Sequence, residues 1–149
     1  MSTWYTKLLL FSLQFRKFYA HRFAPLLRET GLTMREVHVL LFLANNPDYD
    51  TAREVTALRG LSKSQVSQAV ELLTAEGLLR REPDREDRRV VHLSLTEQGV
   101  PVARACQAIQ AECGRHMLAG LTEEEQSQLL RLLGTVLDNG TQLAEEAAQ

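Results

Sequence analysis

The amino-acid sequence predicts a mainly α-helical fold carrying one small β-hairpin, and three features of it lead there. Helical periodicity occupies both ends of the chain, over 4–29 and again after Thr96. Between the ends, two shorter helical patterns meet at Gly60. After them, two β-compatible runs, "LLRREP" and "VVHLSL", flank "DREDRR", six consecutive charged residues.

Taking the elements in order, Leu8, Phe11, Phe15, Phe18 and Arg22 fall at three- and four-residue steps, so 4–29 reads as one long helix. Seven of the nine aromatic residues lie in the first 23 positions, which asks for a partner surface: its own core, another subunit or a ligand. Gly31 stops this helix, and Thr33 with Glu36 three residues on caps the next, which breaks at Asn45–Pro47. A short helix from Thr51 to Arg59 ends at Gly60. Ser62 and Gln65 form a capping box for a helix that stops at Gly77. At 100° per residue, Val66, Ala69, Val70 and Leu73 share its inward face, while Ser64, Ser67, Gln68 and Glu71 share the opposite, polar one. Two helices joined by a tight glycine turn, the second opening with Lys, Ser and Gln, make a helix-turn-helix. The hairpin follows it. Thr96 then caps a helix running to Gly120, and Thr122 caps a last one whose acidic first turn suits the helix dipole.

Composition narrows the class. The chain has 149 residues, 44% hydrophobic and 24% charged, which suits a single domain over 1–149 with its own core. The apolar run near the N-terminus is interrupted at Gln14 and Arg16, with no cleavage-site pattern behind it, and no stretch approaches the roughly 18–20 apolar residues of a membrane span. Two cysteines, Cys106 and Cys113, lie in a helical pattern and suggest no disulfide framework. A cytoplasmic protein without membrane contact is expected. A net charge of -2 does not advertise a nucleic-acid binder, but the charge is uneven. Residues 121–149 hold six acids against Arg131, a balance of -5, which leaves the other 120 residues near +3. No phosphate-binding glycine loop, nucleophile motif or carboxylate pair with a nearby base occurs, so no enzyme and no cofactor are expected.

This order of elements resembles the MarR family of winged helix-turn-helix transcriptional regulators. "LSKSQVSQAVELLTAEGLLRR" looks like the family's recognition helix entering the first wing strand, and "DREDRRVVHLSLTEQG" like its wing, an Asp-x-Arg pair followed by a strand and Leu-Thr-x-x-Gly. The resemblance implies a homodimer held by long terminal helices, 1–30 and 97–149, with 31–96 as the DNA-binding lobe. It implies binding to double-stranded DNA at a pseudo-palindromic operator, usually as a repressor released by a small-molecule effector or a stress signal. Carried onto this chain, Asp87 supports Arg89, which enters the minor groove, while Ser64, Gln65 and Gln68, with Lys63 beside them, face the major groove. Ser67 shares that helix face, and Arg85 and Arg88 share the wing. Physical chemistry agrees: a narrow, negative minor groove attracts a guanidinium, and a glutamine can pair bidentately with adenine. A solvated hairpin turn is the plainer reading of the charge run. A helix-turn-helix directly before it favours DNA contact.

Other candidates carry less. The family tends to keep a ligand cleft beside the DNA-binding lobe, and Phe15, Tyr19, Phe23 and His38 are candidates to line one; core and dimer interface is the commoner fate of such aromatics. Cys106 and Cys113, seven residues apart, read as small buried residues, and the N-terminal cysteine of redox-sensing relatives is absent. For metal, His38, Cys106, Glu112 and His116 are weak candidates against an expectation of none, since His38 reads better as a hydrogen-bonded residue at the core's edge. The alternative functions are a winged-helix module for protein–protein contact and a metal- or redox-sensing regulator.

Overall fold

A computed structural model describes residues 3–147. The elements are α1 (Trp4–Thr30), α2 (Met34–Asn45), α3 (Ala52–Arg59), α4 (Lys63–Ala75), β1 (Leu79–Pro83), β2 (Val91–Leu95), α5 (Gly99–Met117) and α6 (Glu123–Ala147). Mainly helical with one hairpin, this is the fold class expected, a winged helix-turn-helix. The chain forms two compact units, the first ending at Cys113 and the second beginning at Gly114. No helix among the described residues is long and apolar enough to cross a membrane.

The caps set the helix limits within the first unit. Thr33, Thr51 and Ser62 each open a capping box, with Glu36, Glu54 and Gln65 reaching back to the N-cap backbone. Gly31 ends α1 at φ 70°, donating its N–H to the Leu27 carbonyl at 2.9 Å. Val66, Ala69, Val70 and Leu73 are all buried, as their spacing requires. They join Val39, Leu40 and Phe42 of α2, Val55 of α3, Leu79 of β1 and Leu93 of β2 in one core. A second cluster holds Phe23 and Leu26 of α1, Val37 and Leu41 of α2, and Cys106 of α5.

The hairpin is antiparallel, pairing Leu79 with Leu95 and Pro83 with Val91. Only Leu79 and Leu93 are buried along its strands, so the rest projects from the body. A further tie runs to the segment before α3, where Thr51 bridges His92 and the Leu93 N–H donates to the Asp50 carbonyl at 2.7 Å.

The last helix of this unit starts two residues later than its capping threonine suggested, at Gly99. Thr96 does cap, accepting from the Gly99 N–H at 3.0 Å, but its hydroxyl also donates to the Gly77 carbonyl at 2.6 Å. Its own N–H donates to the Leu78 carbonyl at 3.1 Å. The Leu-Thr-x-x-Gly stretch is therefore a knot joining the end of α4 to the start of α5. Glycine is obligatory at its close, because a Cβ at position 99 would lie 2.0 Å from the Leu78 carbonyl oxygen.

Two helical surfaces remain apolar and uncovered. In the first unit, the N-terminal half of α1 exposes Trp4, Tyr5, Leu8, Leu9, Leu10, Phe11 and Leu13. In the second, α6 buries none of its residues and exposes Leu130, Leu133, Val136, Leu137 and Leu143. Gly99→Ala is expected to cost roughly 1–3 kcal/mol of stability, the usual penalty for overpacking a tight site. Urea denaturation checks it, and an unchanged midpoint would contradict the knot.

Candidate nucleic-acid interface

The burial of one face of α4 turns the other outward. Lys63, Ser64, Gln65, Ser67, Gln68 and Glu71 are all exposed. Two of them already have partners. Gln65 spends its carbonyl on the cap, accepting from the Ser62 N–H at 2.9 Å, and keeps its amide NH2 for other contacts. Gln68 accepts at Oε1 from Arg35 Nη1 at 2.8 Å.

The wing tip is ordered by its acids. Asp84 Oδ1 accepts from the N–H groups of Glu86 and Asp87 at 2.8 and 2.9 Å, closing the turn between the strands. Asp87 Oδ1 accepts from the Arg89 N–H at 3.0 Å and from Arg89 Nε at 3.1 Å. The Arg89 side chain stays 91% exposed, so the carboxylate steadies a guanidinium that remains open to a partner. Arg85 and Arg88 are exposed too, around a separate shallow hollow with Pro83 and Asp84.

These elements enclose a groove of about 1150 Å³ between α3, α4 and the wing. Lys63 and Ser67 of α4 line it together with Asp87 and Arg89 of the wing. Arg53 and Arg81 add two cations that the sequence did not single out. Residues of α3, α4, β1 and the wing tip thus converge on one concave, cation-rich surface.

A further arrangement escaped sequence reasoning. His92 of β2 lies between two carboxylates, Nδ1 on Asp50 Oδ1 at 2.8 Å and Nε2 on Asp84 Oδ2 at 2.9 Å. Its hydrogen bonds to Asp84 and then Asp50 raise the imidazole pKa to about 9. The same contact, with the Asp87 and Glu86 N–H groups, lowers Asp84 to about 2. A charged imidazolium therefore clamps the wing turn to the segment before α3. The missing signal was tertiary: the strand register brings 84 and 92 together, and the Thr51–His92 bridge adds position 50. Arg35 also had no signal in the sequence: it links Glu36 at its Nε to Gln68 at its Nη1.

The remaining candidates are dispersed or occupied. Phe11, Phe15, Tyr19 and Phe23 stack along α1 with ring centroids 6.1, 5.5 and 4.8 Å apart. Phe23 is fully buried against Leu26, Val37, Leu41 and Cys106, so it is a core side chain and not the wall of an open cleft. Tyr19 is half-buried, and its hydroxyl accepts from Gln110 Nε2 at 3.2 Å. His38 departs from its expected hydrogen bonding: Nδ1 is sealed with no partner among the described residues. Burial, helped by the Arg59 charge, holds its pKa down and keeps the ring neutral. Cys106 and Cys113 are buried free thiols, and burial pushes Cys106 up to about 11, which suppresses the reactive thiolate. Glu112 is engaged in an ion pair with Arg22. Among the described residues, no three His, Cys, Asp or Glu side chains gather where a metal could be held.

With this geometry in view, comparison with known proteins places the lobe. Residues 30–90 match the family model described as MarR family. A curated relative, the uncharacterized HTH-type transcriptional regulator YwaE of Bacillus subtilis strain 168, is 31% identical over 90 residues, covering 58% of this chain. The match spans about half of that relative's length, 51%. The crystal structure of the transcriptional regulator SlyA superposes with a TM-score of 0.81 at 19% identity, covering 93% of this chain and 96% of that one. An S. aureus MepR–DNA complex superposes at 0.73 and 20% identity, covering 92% and 96%. At such identities the structures speak for the fold. The family match thus falls on residues 30–90, which hold α2, α3, α4 and most of the hairpin, and the relative that shares 31% identity is named as an HTH-type transcriptional regulator.

The His92 clamp sets a pH dependence. The folded imidazole titrates at about 9, above its ordinary 6.5, so its contribution is complete below pH 6.5 and is lost as pH rises through about 9. His92→Gln is expected to lower the thermal midpoint at pH 6 and to match the native chain near pH 10. A midpoint difference that stays constant across that range would refute a charged clamp.

Proposed function

We propose that this chain is a homodimeric, sequence-specific DNA-binding regulator, acting as a repressor that a small molecule or a stress signal releases. The carrying observation is the groove between α4 and the wing, which sets an exposed, carboxylate-steadied Arg89 opposite the polar face of the recognition helix. On this reading Arg89 enters the minor groove, and Lys63, Ser64, Gln65, Ser67 and Gln68 address the neighbouring major groove. Arg85 and Arg88 neutralise phosphates, joined by Arg53 and Arg81. The MepR–DNA complex, whose fold this chain shares, supports the assignment.

Dimerisation through 1–30 and 97–149 rests on the uncovered apolar surfaces of α1 and α6, too extensive for a stable solvated monomer. A twofold dimer would address half-sites about one helical turn apart, roughly 10 base pairs, in a pseudo-palindrome. Release by an effector rests on the aromatic stack of Phe15 and Tyr19, where a flat ligand would find ring faces. A cytoplasmic site of action follows from the proposed partner.

Fluorescence anisotropy on labelled DNA from upstream of the gene tests the reading. With about six phosphates neutralised per dimer, log affinity should fall against log salt with a slope near -5. Arg89→Ala is expected to cost roughly 1–3 kcal/mol of binding and to leave the thermal transition in place, because its side chain buries almost nothing. A flat salt response, or unchanged affinity in that variant, would count against DNA recognition by the wing. Leu137→Glu should shift the sedimenting species from dimer to monomer, and an unaffected dimer would place the interface elsewhere.

A further inference from the structure

Resting on the DNA-binding reading, we propose that Arg35 sets the base preference of the recognition helix by fixing Gln68 as a hydrogen-bond donor. The chain of contacts begins in the core. Glu36, third residue of α2, is fully buried and accepts from both the N–H and the hydroxyl of Thr33. Its other oxygen, Oε1, accepts from Arg35 Nε at 3.1 Å. A buried carboxylate with several donors is immobile, so it anchors the guanidinium at one edge. The fork then extends Nη1 to Gln68 Oε1 at 2.8 Å.

A guanidinium has only donors, so it can bond only to the carbonyl end of a glutamine amide. Arg35 thereby settles which way the Gln68 amide points. The carbonyl turns toward α2, and the NH2 group is left to face outward. Bidentate recognition of adenine needs both ends of one amide, an acceptor for N6 and a donor for N7. A glutamine whose oxygen already accepts from a guanidinium keeps one lone pair beside a positive charge that disfavours a further donor, and so offers chiefly the second. It favours edges rich in acceptors, O6 and N7 of guanine or O4 of thymine, over the mixed edge of adenine. Arg35 is thus a positioning residue that acts on DNA through Gln68. The bidentate adenine pairing expected of a free glutamine gives way to reading led by the NH2 donor at this position.

The test starts from the duplex that the native protein selects from a random pool. Each half-site position is then varied singly, and affinities are measured by anisotropy for the native chain, Arg35→Met, Arg35→Lys and Gln68→Ala. Arg35→Met keeps the aliphatic stem and removes the donors. Arg35→Lys keeps the charge and a donor should the first variant fail to fold, which a thermal transition reports. Gln68→Ala identifies the position that Gln68 reads, by flattening discrimination there. The expected result is a roughly five- to tenfold change of preference at that same position in Arg35→Met, toward adenine, with other positions unaltered. In the Arg35→Met, Gln68→Ala double variant the effect should vanish. A uniform loss of affinity across all duplexes, with the salt slope reduced by about 1, would make Arg35 a phosphate contact and overturn the proposal. Unchanged preferences would overturn it too. Absence of binding to any duplex by the native chain would instead strike the DNA-binding reading on which this one rests.

Discussion

The burial of a single stripe on α4 governs the rest of the lobe. Val66, Ala69, Val70 and Leu73 lose nearly all contact with water against α2, α3 and the hairpin strands. Burying a valine or leucine side chain stabilises by roughly 1.5–3 kcal/mol, so a rotation of α4 that exposed these would forfeit several kcal/mol. The helix has one permitted orientation. Its polar face is outward because its apolar face is inward, and the groove inherits its floor from that constraint. Thr96 then ties the hairpin to the end of the same helix, and glycine at 99 lets the chain pass close to the Leu78 carbonyl.

The charge run "DREDRR" is resolved by this framework into two jobs. Its acids are largely turned inward on the wing: Asp84 closes the turn and holds His92, while Asp87 holds Arg89. Its arginines are left at the surface. A segment with no net charge thereby presents a cationic tip, and an overall charge of -2 is no obstacle, because local field decides which partner approaches. The imidazolium of His92 adds to the same sign and ties the wing to the segment before α3, which limits the freedom of the tip.

The two thiols and His38 show the opposite use of titratable groups. Cys106, Cys113 and His38 are all suppressed by burial, which holds the thiols protonated and the imidazole neutral. Redox chemistry needs an accessible thiolate, and burial works against one at Cys106 and Cys113. Phe23 makes the same transition from candidate pocket wall to core, since it lies on the face of α1 that meets Val37 and Leu41.

Local pattern was enough for the elements and for the outward polar face of α4. Capping boxes at Thr33, Thr51 and Ser62 depend on residues three apart, and the inward stripe of α4 depends on helical pitch, so both are written in adjacent positions. The Asp87–Arg89 pair is equally local, two residues apart on one turn. Tertiary structure alone decided the contacts between distant positions. Asp50, Asp84 and His92 meet only once the hairpin register and the tie to Thr51 are set. Arg35 meets Gln68, 33 residues away, only because two helices cross in a particular way. The need for glycine at 99 likewise arises from a carbonyl 21 residues earlier. Periodicity records what a helix turns toward water, whereas the partner a side chain finds across the fold depends on packing that no single segment encodes.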